Sequence, residues 1–250
     1  MTDVVYFDKY DESGAYHWVE CDRRYANWKR YNPALDGRYQ VTRQAVAALG
    51  RGGRLLDVGC GDGVLMARLS PLFASVSGVD ADARAIQFAR EKLQALANCD
   101  VRHVAGDELP FDARTFDIVT SADVIEHLTD AARHLRGIAR VLKPDGALVV
   151  TTPQWRADGV WDTRHEKEYR AEELRELLAA HFSEVEMRYY WPAFWSRAYE
   201  TRLGWRLLKL LAIQIYNPFL TVGERHPERY GQLIAVCRRA RHTDTAVATC

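Results

Sequence analysis

The stretch LLDVGCGDG, Leu55–Gly63, carries an apolar run broken by Asp57 into three glycines within five positions. Glycines at the C-terminal end of a strand let the backbone turn tightly and come close to a ligand, at the edge where open α/β sheets place their sites. Gly59, Gly61 and Gly63 therefore mark a binding loop, unless they form only an ordinary glycine-rich turn from strand to helix. The next apolar segment, SVSGVD, bears on that choice. It ends in Asp80, about 20 residues beyond the loop, the spacing at which an acidic side chain accepts hydrogen bonds from both hydroxyls of a ribose.

Outward from the loop, Arg54 to Val150 alternates short apolar runs with helical patterns. RLLDVG, SVSGVD, VRHVAG, FDIVTSA and GALVVTT read as strands; helices run through GVLMARL, through ARAIQFAREKLQAL and up to IARVL. That alternation predicts parallel strands joined by right-handed crossovers, a doubly wound α/β sheet. Beyond it come a helix at AEELRELLAAHF, a strand-like SEVEMRYYW, an aromatic segment from Pro192 to Leu220, and a last strand, GQLIAVCRR. Before Gly53 only YQVTRQAVAAL reads as a helix, amid a crowd of Tyr and Trp. The expected organisation is one domain over 1–250. Its core is 51–191 with 230–240; residues 1–50 form an N-terminal cap segment and 192–229 an inserted helical and aromatic cap. The tail after Arg238 is expected to fray.

Composition narrows the partners. The 250 residues are 48% hydrophobic, enough for a substantial core, and 34 basic residues cancel 34 acidic ones. Without a global positive field, nucleic acid is not expected as a partner. Five scattered cysteines with no C-x-x-C argue against a disulfide framework or a zinc ribbon and fit a reducing cytoplasm. The first residues are polar and acidic, and no run approaches the roughly 18 apolar residues of a spanning helix. A cytoplasmic protein is expected, in solution or peripheral on the inner face of the membrane.

Two ligand classes use a glycine loop followed by an acidic strand end: NAD-like dinucleotides and S-adenosylmethionine. A dinucleotide fingerprint needs G-x-G-x-x-G, and its third glycine would fall at Val64. Asp57 would also sit poorly beside a pyrophosphate, whereas it can help hold an amino group near a cationic sulfonium. With LLDVGCGDG, GVD, AGDELPF, FDIVTSADVIEHL and RVLKPDGALVVTTP in order over Arg54–Pro153, the chain resembles the class I S-adenosylmethionine-dependent methyltransferases. It is most similar to the small-molecule branch of ubiquinone-type O-methyltransferases and cell-surface sugar or lipid methyltransferases.

The resemblance implies a Rossmann-like seven-stranded sheet of order 3-2-1-4-5-7-6 with the last strand antiparallel. It implies S-adenosylmethionine as cofactor and S-adenosylhomocysteine as product. Gly59 and Gly61 would lie against its methionine and ribose portions, with Asp57 near the amino group. Asp80, followed by Ala81, would take the ribose hydroxyls; Asp107, followed by Glu108, would accept from the adenine amine. Ser121 and Ala122 match the strand end that faces the sulfonium.

Methyl transfer from a sulfonium is an in-line displacement, so the protein has to align the partners and take a proton from a hydroxyl acceptor. His165, in the polar loop after the fifth strand, is the first candidate base, read against a solvated loop residue. His127, at the start of a predicted helix, is the second, read against bracing that helix; His103 reads as structural. The resemblance also implies a less favoured reading in which Asp123, Glu126, His127 and His165 hold a divalent ion that lowers the pKa of a bound hydroxyl. Neither N-P-P-Y, D-P-P-Y nor a Pro-Cys pair is present, which argues against methylation of nucleic-acid bases.

The acceptor, a small molecule or a lipid-linked one, must be read from the caps. Their aromatic residues suit a satellite core or a wall that stacks on a sugar or aromatic ring. Residues 201–219, TRLGWRLLKLLAIQIYNPF, read as a helix with Arg202, Arg206 and Lys209 on one stripe and leucines over most of the rest. Such a helix suits a buried cap, a homodimer contact or a membrane-interface helix. Two further function classes stay open: a cofactor-binding regulatory protein without turnover, and an NAD(P)-dependent oxidoreductase.

Overall fold

The computed structural model describes residues 9–104, 108–157, 162–195, 198 and 201–241. Its centre is one eight-stranded sheet: β1 (Arg54–Val58), β2 (Ser75–Asp80), β3 (Cys99–His103), β4 (Phe116–Ala122), β5 (Leu142–Pro153), β6 (Phe182–Pro192), β7 (Val222–Gly223) and β8 (Tyr230–Ala240). The strand order is 3-2-1-4-5-8-6-7. β1 to β5 pair in parallel, and β8 runs antiparallel between β5 and β6. The one departure from the expected seven strands is β7, which adds two residues to the outer edge of β6 at Tyr189 and Tyr190.

Both faces of the sheet are covered, and the side-chain period of two distributes each strand between two cores. Leu55, Ile118, Val149, Ile234 and Val236 point into one layer; their neighbours Leu56, Val119, Leu148, Val150, Leu233 and Ala235 point into the other. The first layer packs under α3 (Pro33–Leu49), α4 (Val64–Leu69) and α5 (Ala83–Leu93), through Val46, Leu65, Met66, Leu69, Ile86 and Ala89. The second packs under α6 (Ala131–Val141) and α7 (Ala171–Ala179), through Leu135, Ile138, Leu174 and Leu178. With neither face open to water, strand ends and loops are what remain for ligand chemistry.

Helix starts follow their capping residues. Asn32 accepts from the amides of Ala34 and Leu35 with Pro33 in the first turn, Asp82 accepts from Arg84 and Ala85, and Asp130 from Arg133. Two elements differ from the sequence reading. α3 begins at Pro33, well before Tyr39, because Gly37 is not a helix stop: a Cβ there would meet the Cβ of Phe219 at 3.0 Å, so the glycine permits close packing. His127 does not open a helix; it ends a single 3₁₀ turn, Ile125–His127, and α6 starts after the cap at Asp130.

The N-terminal segment contributes α1 (Lys9–Ser13), α2 (Tyr16–Glu20) and α3, and the insertion contributes α8 (Arg202–Gln214). α3 is tied to α4 through Asp36, which is fully buried and accepts from Arg68 Nη2 at 2.7 Å, Tyr31 Oη at 2.7 Å and Gln40 Nε2 at 2.6 Å. Removing such a carboxylate leaves a guanidinium and a phenol without their partner; the partial exposure of Arg68 moderates the cost. Asp36→Ala is expected to lower unfolding free energy by about 3 kcal/mol in chemical denaturation; a loss under about 0.5 kcal/mol would mean the tie contributes little.

Candidate functional site

The C-terminal ends of β1, β2 and β4 open into a cavity of about 380 Å³, within the usual range for small-ligand sites. Asp57, Gly59, Cys60, Gly61, Asp80, Ala81, Ala122, Asp123, Glu126, His127 and His165 line it. Gly59 and Gly61 hold φ of 76° and 55°, in the left-handed region that a side chain disfavours. A Cβ on Gly59 would run into Val124, and one on Gly61 would lie 2.8 Å from Tyr10 Oη.

Two carboxylates face this loop. Asp80 closes β2, its Oδ2 accepting from the Gly61 amide and its Oδ1 from the Asp82 amide, both at 2.8 Å. Asp57 is buried on β1 and accepts from Thr120 Oγ1 at 2.6 Å. Burial, reinforced by Asp80, pushes the Asp57 carboxyl up to about 7, against the hydrogen bond from Thr120. Burial also raises Asp80, offset by the amides of Asp82 and Gly61. Desolvated carboxyls side by side are relieved by a cationic ligand and by hydroxyl donors, so the donor set fits a sulfonium nucleoside and not a pyrophosphate.

The roof comes from the N-terminal segment, through contacts that the sequence does not announce. His17 donates from its backbone amide to Asp62 Oδ2 at 3.1 Å and from Nδ1 to Oδ1 at 3.0 Å, while Trp18 Nε1 reaches the Asp62 carbonyl at 2.7 Å. Asp62 is fully buried, so the glycine loop and α2 are one unit. Tyr10, Tyr16, His17 and Tyr39 line the cavity on this side. Arg38, from α3, donates to Asp123 Oδ2 at 2.5 Å, and Thr151 donates to the other oxygen at 2.7 Å.

Across the cavity, His127 and His165 stand with ring centroids 4.9 Å apart. His127 Nδ1 donates to the Arg164 carbonyl at 3.0 Å, and His165 Nδ1 donates to Glu168 Oε1 at 2.9 Å. Each bond places the proton on Nδ1 and the lone pair on Nε2. Burial, and then the neighbouring His165, lowers the pKa of His127, against the bond to Arg164. Glu126 lies beneath them, buried, accepting from Thr152 at 2.9 Å; burial and the charge of Asp123 push its pKa well up. Donor atoms of Glu126, His127 and His165 lie within 4.8 Å of one another. Asp123 is not in that cluster, because Arg38 and Thr151 hold both of its oxygens.

The other expected site residues separate. Ser121 is buried and pairs with His134 Nε2 at 3.1 Å, leaving Ala122 as the cavity residue of that strand end. Glu108 is exposed and Leu109 lines the cavity in its place; Asp107 lies outside the described residues. His103 Nε2 reaches the Ala81 carbonyl at 3.0 Å. No local pattern ties His17 to Asp62 of the glycine loop or Arg38 to Asp123, whereas Glu168 stands three residues from its partner His165, a spacing the sequence does display.

Known proteins bear on this geometry. Residues 56–150 match the family described as Methyltransferase domain. The chain is 33% identical over 149 residues to a ubiquinone biosynthesis O-methyltransferase of Chelativorans sp., covering 55% of this chain and 58% of that protein. It is 32% identical over 154 residues to a Mycolicibacterium smegmatis protein named "Probable S-adenosylmethionine-dependent methyltransferase", covering 60% and 59%. The matches thus span under two thirds of each relative's length. In fold, the chain is similar to a Haemonchus contortus N-methyltransferase solved with phosphomonomethylethanolamine and S-adenosylhomocysteine, at TM-score 0.63 and 17% identity, over 92% of this chain and 58% of that one. Family match, sheet order and glycine loop agree: residues 56–150 match a methyltransferase domain, set in a Rossmann-like sheet of the methyltransferase order.

Proposed function

We propose that the protein methylates a hydroxyl of a small molecule or lipid-linked acceptor, with His165 as the base that receives the hydroxyl proton. The observation that carries this reading is one cavity holding desolvated Asp57 and Asp80 on one side and the His127–His165 pair on the other. The same pair argues against a binding protein without turnover, and the ubiquinone O-methyltransferase relative supports oxygen as the methylated atom.

Asp80 would hold the ribose hydroxyls and Asp57 the cationic methionine end, over the bare backbone of Gly59 and Gly61; Asp107 would receive the adenine amine. S-adenosylmethionine, when bound, would supply an electrophilic methyl group and leave as S-adenosylhomocysteine. His165 Nε2 takes the acceptor proton, leaving an imidazolium whose Nδ1–H is held by the Glu168 carboxylate. His127, anchored on the Arg164 carbonyl, sets the wall beside it. Tyr16 and Tyr39 offer an aromatic surface to the acceptor.

A second reading rests on the proximity of Glu126, His127 and His165. Both histidines have Nδ1 anchored by an acceptor, as metal-bound imidazoles do. A divalent ion held there would acidify an acceptor hydroxyl.

S-adenosylhomocysteine is expected to raise the Tm and NAD to leave it unchanged, with Asp80→Ala abolishing most of the shift. Because Asp57 is protonated below about 7 in the free protein and a cation favours its ionised form, cofactor binding releases a proton. Affinity for S-adenosylmethionine should therefore rise by up to about tenfold from pH 6 to pH 8, and Asp57→Asn should flatten most of that rise in titration calorimetry. A Tm raised by NAD alone would overturn the cofactor assignment.

His165→Ala is expected to reduce kcat by roughly 10²- to 10⁴-fold with cofactor affinity unchanged, and Glu168→Gln by less. Unaltered kcat in His165→Ala would return the proton-accepting role to His127. For the metal reading, EDTA should suppress turnover and magnesium or manganese restore it; indifference to both leaves the histidine base alone.

A further inference from the structure

α8 buries one apolar side and leaves a second one exposed. Its inward face presents Leu208, Ala212 and Lys209, packed with Ala34 and Phe219, and the lysine ammonium donates to the Lys29 carbonyl at 2.6 Å. Its outward face presents Leu203, Leu207 and Leu210, which are 69%, 57% and 38% exposed. Ile215 and Tyr216, just past its end, are also exposed. A helix that satisfies a lysine inside while leaving leucines outside has its apolar stripe directed at something other than the protein's own core. The separation corrects the single basic stripe expected from the sequence: Arg202 and Arg206 flank the exposed leucines, and Lys209 leaves them for the interior.

The surrounding charge identifies the occupant. From Thr201 to Gly223 the sequence holds no Asp or Glu. Arg202 and Arg206 are exposed at one flank of the leucines, and Lys29 and Arg30, also exposed, adjoin the helix through the Lys209 bond. A twofold contact between two copies would bring this patch against itself, setting Arg202 and Arg206 of one copy against like charges of the other. A bilayer surface with anionic headgroups meets both requirements, apolar depth for the leucines and negative charge for the flank. The helix has 13 residues, and no described helix is long and apolar enough to cross a membrane. It can therefore only lie in the interface.

We propose that α8 is a membrane-interface helix whose outward face, Leu203, Leu207 and Leu210 with Arg202 and Arg206, seats the protein on an anionic bilayer. The seat adjoins the cavity. The N-terminus of α3 packs against α8, and Asn32, Leu35 and Arg38 of that same region line the cavity. On the reading of the site proposed above, a lipid-linked acceptor would enter from this side. Membrane contact itself does not depend on that reading.

The test is flotation of the full chain with phosphatidylcholine vesicles, with and without phosphatidylglycerol, alongside sedimentation velocity without lipid. Binding should require the anionic lipid. Arg202→Gln with Arg206→Gln should weaken it roughly thirtyfold, at about 1 kcal/mol for each arginine near the surface. Leu203→Ser, Leu207→Ser and Leu210→Ser together should abolish it. All five side chains are exposed, so the variants should keep the Tm shift with S-adenosylhomocysteine, which separates loss of the seat from loss of the fold or of the methyltransferase site. A protein that ignores vesicles of either composition overturns the proposal. A dimer that the leucine substitutions dissolve, with no lipid binding, would instead assign this face to a second copy.

Discussion

The turn from β1 into α4 is the constraint on which the rest of the structure depends. Gly59, Gly61 and Gly63 all take positive φ there, and the space beside each is occupied by a different part of the chain: Val124 after β4, Tyr10 from α1 and Leu93 from α5. The glycines thus serve two ends at once. They allow the backbone conformation, and they allow three other elements to close on the loop from three directions. A methyl group at any one would strain the backbone and displace a neighbour. Asp80 then fixes the loop from β2 through the Gly61 amide, and Asp62 fixes it to the N-terminal roof through His17 and Trp18.

The electrostatics of the site follow from where those elements converge. A sheet buried on both faces desolvates Asp57, and burial raises the pKa of Asp57 and, against the amides of Asp82 and Gly61, that of Asp80. Around Asp123 the same problem is met by Arg38, a cation supplied from a separate element. The two halves of the cavity therefore differ in kind. The Asp123 half is neutralised by the protein itself, whereas the Asp57–Asp80 half keeps an electrostatic deficit that a positively charged ligand removes. That asymmetry gives the cavity a polarity, with the cofactor's cationic end drawn toward β1 and β2 and the histidine pair left to face an acceptor.

How much of this is legible in the sequence depends on the distance over which the signal acts. The strands rest on local periodicity, so β1 to β6 and β8 fall where LLDVG, SVSGVD, FDIVTSA and the others place them, whereas their order is implied by the family resemblance those motifs carry. The glycine loop, Asp57 and Asp80 are read in the same way. What escapes is tertiary. The helix read from Tyr39 starts at Pro33, and the room that Gly37 leaves for Phe219, far along the chain, is visible only in the structure. His17 looks like one polar residue in an aromatic stretch until Asp62 pairs with it. Asp123 looks like part of a carboxylate–histidine cluster until Arg38 claims it. The two-residue β7 carries too little sequence to announce itself.

The insertion between β6 and β8 shows why periodicity alone underdetermines a helix's orientation. On a helical wheel Arg202, Arg206 and Lys209 share a stripe, and charge alone would turn that stripe to solvent. The structure divides it, because Lys209 finds the Lys29 carbonyl as a partner within reach and its aliphatic stem packs beside the face that Leu208 and Ala212 bury. The interior acceptor offsets part of the cost of desolvating the ammonium there, while Leu208 packs with Ala34 and Phe219 on the same inner side. Burial lowers the pKa of Lys209, with Glu20 opposing it. Burial of Leu208 and Ala212, with Lys209 bonded beside them, leaves Leu203, Leu207 and Leu210 outside, so the helix presents an apolar face on both its inner and its outer side.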